Sequence, residues 1–266
     1  MSAVTTAAVP APRLGFGASL RHGLTLTRRS LLKIKANPEE VIGLTIQPIM
    51  FVALFVFIFG QALAGSWQEY RDFALPGIIV QTVVFATMGT GLSLNSDIEK
   101  GIFDRFRSLP IARSAPLVGA VLGDLVRYTL SVLVITVIGV VIGFRLESLP
   151  GTVAAVALIL VFAFALCWMS ALVGLMARSI MGVQMFAMTL MFPLTFGSSI
   201  FVAADKMPSW LRPVIEVNPI THLTDAVRSL IAGGFPVSHI VTTLVWSAVF
   251  FAVFFPLAVW RYKRRT

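Results

Sequence analysis

The sequence predicts an all-α membrane protein with six transmembrane helices, and three observations support this fold class. Hydrophobic residues make up 57% of the 266 residues, whereas only 12% are charged. A soluble core of this length cannot enclose so much apolar surface, but a bilayer can solvate it directly. The mean hydropathy of +0.89 agrees with this reading. Finally, the chain contains six apolar stretches, each close to the roughly 20 residues that a helix needs to cross about 30 Å of hydrocarbon.

The six apolar stretches are spread evenly along residues 19–266, which we therefore assign to one transmembrane domain. The predicted spans are residues 41–63, 73–95, 128–144, 153–176, 182–204 and 240–260. The third stretch is the shortest, and we expect it to belong to a longer helix that begins near Ser114. Residues 1–18 are rich in Ala, Pro and Gly and lack an apolar segment, which predicts a disordered cytosolic tail.

The basic residues predict how the chain is oriented in the cell (inner or plasma) membrane. Of the 21 lysines and arginines, sixteen fall on one side of the predicted spans and five on the other. The positive-inside rule places the richer side, and with it both termini, in the cytosol. In a soluble protein the net charge of +9 would suggest nucleic-acid binding. Here the charges flank the spans, so they indicate topology and contact with anionic membrane lipid, with no nucleic-acid partner.

Two cytosolic segments are predicted to be amphipathic helices. Residues 19–36 place leucines on one side and most basic residues off that stripe, which predicts an interfacial helix. Residues 96–110 have the sequence SDIEKGIFDRFRSLP. Their apolar stripe consists of Ile98, Ile102, Phe106 and Leu109. Amphipathicity alone leaves two roles open for this second helix: it docks a partner, or it caps the ends of the neighbouring spans.

A further helix is predicted in the long outer segment at residues 205–239. Asn218 can cap its start, Pro219 suits the first helical position, and Gly233 and Gly234 can end it. The apolar stripe consists of Ile220, Leu223, Val227, Leu230 and Ile231. The opposite, polar face consists of Thr221, Asp225 and Arg228. This pattern predicts a helix that packs on the outer mouth of the bundle.

The sequence offers no pattern for catalysis or for a cofactor. The dipeptide Gly-Lys never occurs, so a phosphate-binding loop is excluded, and any ATP and Mg²⁺ would be held by another chain. The three histidines have no metal-ligand spacing and are interpreted as interfacial residues. Ser198 and Ser199 lack a histidine base within the spans, which disfavours a serine hydrolase. We therefore predict that the chain is not an enzyme.

Few polar side chains fall within the apolar stretches. The near-absence of ionisable residues argues against a proton-coupled antiporter or an ion channel. Asp124 and Arg127, three residues apart at the cytosolic end of the third helix, can pair with each other. Gln47, Gln81 and Gln184 need partners within the bundle, and the sequence leaves open whether they face a substrate.

Two motifs carry a resemblance to a known family. The first is EKGIFDRFRSLPIARS at residues 99–114, and the second is MPSWLRPVIEVNPITHLTDAVRSLIAGG at residues 207–234. Over about residues 20–262 the chain resembles the permease subunits of ABC-2 type exporters, especially the actinobacterial daunorubicin/doxorubicin-resistance permeases. The motifs are specific for the family but not for a substrate.

The resemblance implies partners that the residues alone do not. In such permeases the amphipathic N-terminal helix and the segment after the second span contact an ABC ATPase, of which two copies are expected. A second permease, identical or related, would pair through the first and fifth spans. The resemblance therefore favours docking over capping for the second amphipathic helix. The residues assigned to ATPase coupling are Ile102, Phe103, Arg105, Phe106 and Arg107.

Three functional hypotheses follow. The first is the permease of an ATP-driven ABC exporter that moves amphipathic drugs or lipids out of the cytosol or the inner leaflet. The alternative is a secondary transporter that acts without an ATPase partner, and a third possibility is a membrane scaffold without transport. A drug, a glycolipid and a complex lipid all remain open as cargo.

Overall fold

The structure, a computed structural model, describes residues 46–101 and 115–265, and within these ranges the chain is helical and contains no strand. The helices are α1 (Ile46–Ala64), α2 (Trp67–Glu99), α3 (Ala115–Val141), α4 (Leu149–Met176), α5 (Ile180–Phe196), α6 (Arg212–Val217), α7 (Pro219–Ile231) and α8 (Val237–Arg265). The all-α class is therefore confirmed for this part of the chain. The middle of α1, Val52–Phe59, is π-helical.

Five of the described helices are long and apolar enough to cross a membrane: α1, α2, α3, α4 and α8. They coincide with the first, second, third, fourth and sixth predicted stretches. The helix α3 has 27 residues and begins at Ala115, which confirms that the short third stretch belongs to a longer helix beginning near Ser114. It ends at Val141, before Gly143, whose φ of +91° lies in the left-handed region.

The fifth predicted span, residues 182–204, is wrong at its C-terminal end. The helix α5 stops at Phe196 after 17 residues, which corresponds to about 25 Å at 1.5 Å per residue. The amide Nδ2 of Asn218 donates to the carbonyl oxygens of Leu194 at 2.7 Å and Gly197 at 2.6 Å. These bonds bind the last turn of α5 to the start of α7. The predicted total of six spans is therefore not confirmed.

Side-chain caps explain where several helices begin. The hydroxyls of Ser66, Ser148 and Ser179 each accept a hydrogen bond from the backbone N–H three residues later, at the starts of α2, α4 and α5. The oxygen Oδ1 of Asn218 accepts from Ile220 N at 2.9 Å, and Pro219 is the first residue of α7. The predicted start of this helix is thus confirmed, and such caps each contribute about 1 kcal/mol.

The second amphipathic segment does not begin as a separate helix. Asp97 and Ile98, predicted to open it, belong to the last turn of α2. The helix ends at Glu99, and Gly101 follows with a φ of +66°. The residues assigned to ATPase coupling, Ile102, Phe103, Arg105, Phe106 and Arg107, lie outside the described residues. The predicted tail at residues 1–18 and interfacial helix at residues 19–36 also lie outside them.

The helix α4 lies at the centre of the bundle and packs against α2, α3, α5, α7 and α8. It approaches α2 closely where Gly91 of α2 faces Gly174 of α4. A Cβ atom added at either glycine would collide with the backbone of the other helix. The side chain of Asn95 strengthens this crossing, because its Nδ2 donates to Gly174 O at 2.9 Å and to Ala177 O at 3.1 Å. The helices α2 and α4 are therefore in backbone contact at this crossing.

Candidate substrate cleft and the α7 network

A cleft of about 250 Å³ opens between α1, α2, α3 and α5. Gln47 of α1, Gln81 of α2 and Gln184 of α5 all line it. The sequence identified these three glutamines as polar groups in apolar stretches, and the structure brings them together. Their positions along the chain, 34 and 103 residues apart, gave no sign that they would meet.

The remaining walls of the cleft are mainly apolar. Phe51 of α1 and Phe85 of α2 contribute aromatic rings, and Met88 and Met188 contribute flexible thioethers. Methionine fits irregular apolar shapes because it is unbranched and polarisable. Apolar walls with a few well-placed polar groups are typical of small-molecule sites. The composition therefore suits an amphipathic ligand.

Gln81 is the most deeply placed of the three amides. The residue is 2% exposed, and its Nε2 has no hydrogen-bond partner in the described part of the chain. Leaving a buried donor unsatisfied costs about 1–3 kcal/mol. This amide nitrogen is enclosed by the protein, so only an acceptor brought into direct contact with it would remove this cost.

Arg127 provides a positive charge at the edge of the cleft. Its Nη2 donates to Ala86 O at 3.0 Å and lies 3.3 Å from the carboxylate of Asp124. The predicted pairing of these two residues is confirmed. Gly89 makes room for the guanidinium, because an added Cβ there would collide with it. Arg127 therefore stays beside α2.

Arg127 lies against one oxygen of the Asp124 carboxylate, and a residue of α2 binds the other oxygen. Thr90 Oγ1 donates to Asp124 Oδ2 at 2.5 Å and lies 2.7 Å from Tyr128 Oη. Because the Thr90 hydrogen is used on Asp124, Tyr128 must donate to Thr90. A hydrogen-bonded chain thus links the helices α2 and α3 next to the cleft. Sequence reasoning identified the Asp124–Arg127 pair but not its partners on α2.

A second polar cluster, here called the α7 network, joins α7 to α2 and to the turn after α5. Arg228 donates from Nε to Phe73 O at 3.0 Å and from Nη2 to Ser199 O at 3.1 Å, and its Nη1 lies 2.8 Å from Asp225 Oδ1. Ser199 Oγ donates to the same carboxylate oxygen at 2.8 Å. The guanidinium also lies 3.9 Å from the centre of the Phe73 ring. The face of α7 that carries Asp225 and Arg228 therefore contacts other elements, whereas the sequence had suggested only a polar face opposite the apolar stripe.

The two serines and two of the histidines also have structural partners. Ser198 Oγ donates to a backbone carbonyl, Thr195 O, and Ser199 serves the α7 network. His222 and His239, interpreted from the sequence as interfacial residues, lie with their Nδ1 atoms 3.3 Å apart. Burial and the neighbouring His239 lower the pKa of His222. Among the described residues no group of three or more His, Cys, Asp or Glu side chains could hold a metal ion.

Several long apolar helices around a cleft of aromatic and amide side chains define a multi-pass membrane protein. The chain belongs to the ABC-2 type transporter family, whose sequence model matches residues 22–232. This finding confirms the family that the two motifs indicated.

The relatives of the chain are named as permeases. It is 37% identical over 257 residues to the daunorubicin resistance ABC transporter permease protein DrrB1 of Streptomyces coeruleorubidus, across 96% of this chain and 89% of the relative. It is 23% identical over 227 residues to the probable doxorubicin resistance ABC transporter permease protein DrrC of Mycobacterium tuberculosis, across 85% and 82% of the two chains. It is also 25% identical over 209 residues to the putative transport permease ycf38 of Cyanophora paradoxa, across 77% and 72%. These names agree with a transport subunit rather than an enzyme.

Proposed function

We propose that the chain is the transmembrane permease subunit of an ATP-driven exporter that moves amphipathic drugs or lipids out of the cytosol or the inner leaflet. The cleft between α1, α2, α3 and α5 is the observation that carries this proposal, because its aromatic, thioether and amide groups suit both parts of an amphiphile. The chain has no phosphate-binding loop of its own. ATP and Mg²⁺ are therefore assigned to a separate ABC ATPase, in two copies, and a second permease, identical or related, completes the assembly.

Copurification and ATP hydrolysis test this function directly. The chain is isolated from its native membranes, and the bound chains are identified by mass spectrometry. We expect an ABC ATPase whose ATP hydrolysis, in reconstituted vesicles, rises when an amphipathic cargo is added. Transport that continues with no ATPase present would instead support a secondary transporter, and an associated ATPase that never responds to cargo would support a scaffold.

The orientation proposed for the chain places both termini in the cytosol and the segment around Ser209 outside. A cysteine introduced at Ser209, which is exposed, is expected to react with a membrane-impermeant thiol reagent added to intact cells. A cysteine at Ser108 is expected to react only after the cells are opened. The native Cys167 is buried and gives a low background. The opposite labelling pattern would show that the chain has the opposite orientation in the membrane.

The coupling role proposed for Ile102, Phe103, Arg105, Phe106 and Arg107 predicts that aromatic anchors hold the ATPase. Replacing both Phe103 and Phe106 by alanine is expected to release or uncouple the ATPase, because a buried aromatic anchor contributes about 2 kcal/mol or more to an interface. The measurements are pull-down of the ATPase and cargo-stimulated ATP hydrolysis. Charge reversal at Arg105 and Arg107 is expected to weaken binding in a salt-dependent manner.

The matched control for this double variant removes two aromatic side chains elsewhere. Trp210 and Phe235 are 74% and 76% exposed and lie in the segments before α6 and α8. Their double alanine variant is expected to keep the ATPase bound. If the Phe103/Phe106 variant binds the ATPase and transports like the unmodified protein, the segment only caps the adjacent helices.

A further inference from the structure

A second cavity, of about 530 Å³, lies where the start of α2, the loop between α3 and α4, and the end of α7 meet. We call it the helix-end cavity. Its volume falls within the range of small-molecule sites, about 300–1,000 Å³. None of the described residues lines both this cavity and the cleft between α1, α2, α3 and α5. Ionisable side chains of both signs line the helix-end cavity: Arg71, Asp72, Arg145, Glu147 and Arg228.

Arg71 is the buried cation of this cavity. The residue is 9% exposed, its Nε donates to Asp72 Oδ1 at 2.7 Å, and its Nη1 donates to Ile142 O at 2.9 Å. Gly143 leaves room for the guanidinium, because a Cβ there would lie 2.8 Å from Nη1. The two bonds use two of the five N–H groups of Arg71. Its Nη2 makes no hydrogen bond within the described part of the chain and is not enclosed by the protein, so it can donate to a ligand.

The loop between α3 and α4 contributes one further charge of each sign. Arg145 and Glu147 are exposed, and neither forms a hydrogen bond or an ion pair with the described residues. By contrast, Arg228 uses its guanidinium within the α7 network, and the carboxylate of Asp72 is paired with Arg71. The groups left for a ligand are therefore Nη2 of Arg71, the guanidinium of Arg145 and the carboxylate of Glu147.

The end of α7 adds to the attraction for a cation. Ile231, the last residue of α7, and Ala232 both line the cavity. The C-terminal end of a helix carries partial negative charge and stabilises cations nearby. Glu147 and this helix end together suit an ammonium group. Arg71 and Arg145 suit a phosphate, which guanidinium groups bind through charge-assisted hydrogen bonds.

The surroundings of the cavity suit a lipid. Val141, the last residue of α3, is 79% exposed, and Leu149, the first residue of α4, is 71% exposed. Both belong to helices that are long and apolar enough to cross a membrane. Exposed apolar side chains at such helix ends are sites for acyl chains. A ligand with its polar group in the cavity and its apolar part along α3 and α4 is therefore a lipid.

We propose that the helix-end cavity binds the head group of a zwitterionic phospholipid of the phosphoethanolamine type. Arg71 and Arg145 donate to its phosphate, and Glu147 accepts from its primary ammonium group. Such an ammonium has three N–H donors, whereas the quaternary ammonium of phosphatidylcholine has none and phosphatidylglycerol has no cation. In the orientation proposed above, this lipid belongs to the outer leaflet. It is held at the end of the bundle, away from the cleft to which the cargo is assigned.

The test uses the full chain in detergent, stripped of copurified lipid, and native mass spectrometry to follow binding of the first lipid molecule. Dioleoyl phosphatidylethanolamine, phosphatidylcholine and phosphatidylglycerol are titrated separately. Because their acyl chains are identical, differences in dissociation constant report the head group. We expect phosphatidylethanolamine to bind about tenfold more tightly than either of the others, as expected for one charged hydrogen bond. Soluble glycerophosphoethanolamine is expected to compete poorly because it lacks acyl chains.

Two variants test the assigned groups. Glu147→Gln is expected to lower the affinity for phosphatidylethanolamine about tenfold, to the level of phosphatidylcholine, without weakening the binding of the other two lipids. Arg145→Gln is expected to weaken all three about tenfold, because all three carry the phosphate. Both residues are exposed, so the unfolding midpoints in lipid-free detergent should match that of the unmodified chain. The control variants Glu69→Gln and Arg178→Gln are also exposed, lie outside the cavity, and are expected to leave the three affinities unchanged.

Several outcomes would overturn the lipid assignment. These are equal affinities of the unmodified chain for the three lipids, binding of phosphatidylethanolamine that Glu147→Gln leaves unchanged, and failure of every lipid to bind. Tighter binding of phosphatidylglycerol would show an anionic-lipid site instead, and strong competition by glycerophosphoethanolamine would show a site for a free phosphate ester. The exporter function stands apart from all of these results, because it depends on a copurifying ATPase that responds to cargo.

Discussion

Replacing Arg228 by alanine is expected to lower the free energy of unfolding by about 3 kcal/mol and to impair transport. The change removes the donors to Phe73 O and Ser199 O and leaves the carboxylate of Asp225 without its cation. Hydrogen bonds to charged groups are worth about 1.5–3 kcal/mol each. The side chains of Arg228 and Asp225 are 21% and 29% exposed, so water can replace part of what is lost.

The buried Cys167 allows this effect to be measured. A thiol-reactive dye labels Cys167 only when the bundle opens, so the labelling midpoint on heating reports unfolding. At about 2–4 °C per kcal/mol, Arg228→Ala is expected to lower the midpoint by roughly 6–12 °C. Arg228→Lys is expected to recover only part of the loss, since an ammonium cannot reach both carbonyls as the planar guanidinium does.

The matched control for Arg228 is Arg145→Ala, because Arg145 and Arg228 line the same cavity beside Arg71, whereas Arg145 is exposed. It is expected to shift the midpoint by little. Equal midpoints for Arg228→Ala and the unmodified protein would mean that the α7 network does not hold α7 against α2. Transport by Arg228→Ala is expected to be impaired for the same reason. Without the contacts of Arg228, α7 no longer holds the turn after α5 in place.

The features that follow from local sequence were predictable. Asn218 and Pro219 specify the start of α7 because the cap and the first-turn proline act within three residues. The five long helices follow from hydropathy, which depends only on composition within a window. The Asp124–Arg127 pair follows from helical spacing. None of these features needs knowledge of what packs against them.

The features that depend on contacts between distant residues were not predictable. The stretch 182–204 is apolar enough to read as one helix, yet Asn218 binds the carbonyls of Leu194 and Gly197 from more than twenty residues away. Likewise, the motif spacing of Asp225 and Arg228 gives no sign of Phe73 as a partner. The meeting of Gln47, Gln81 and Gln184 in one cleft is a product of helix packing, so the sequence could single them out but not group them.

Replacing Gly174 by alanine is expected to destabilise the fold although alanine is the better helix former. In an exposed helix the change would gain roughly 0.5–1 kcal/mol. Here the added Cβ would collide with the backbone carbonyl of Gly91, and a backbone atom in a packed helix cannot turn aside as a side chain can. Overpacking of this kind costs about 1–3 kcal/mol. We therefore expect a lower midpoint for dye labelling of Cys167.

Gly182→Ala is the matched control, because a Cβ there would meet only ordinary van der Waals contacts, at 3.5 Å to Ser179 Oγ and 3.8 Å to Ala177 Cβ. Its midpoint is expected to stay equal or to rise. The labelling midpoint of Gly91→Ala is expected to fall, as for Gly174→Ala, because the added Cβ would collide with Ser170 O. If all three variants unfold at the same temperature, α2 and α4 are not in backbone contact. The contact between α2 and α4 would then not be what positions Gln81, Phe85 and Met88 in the cleft.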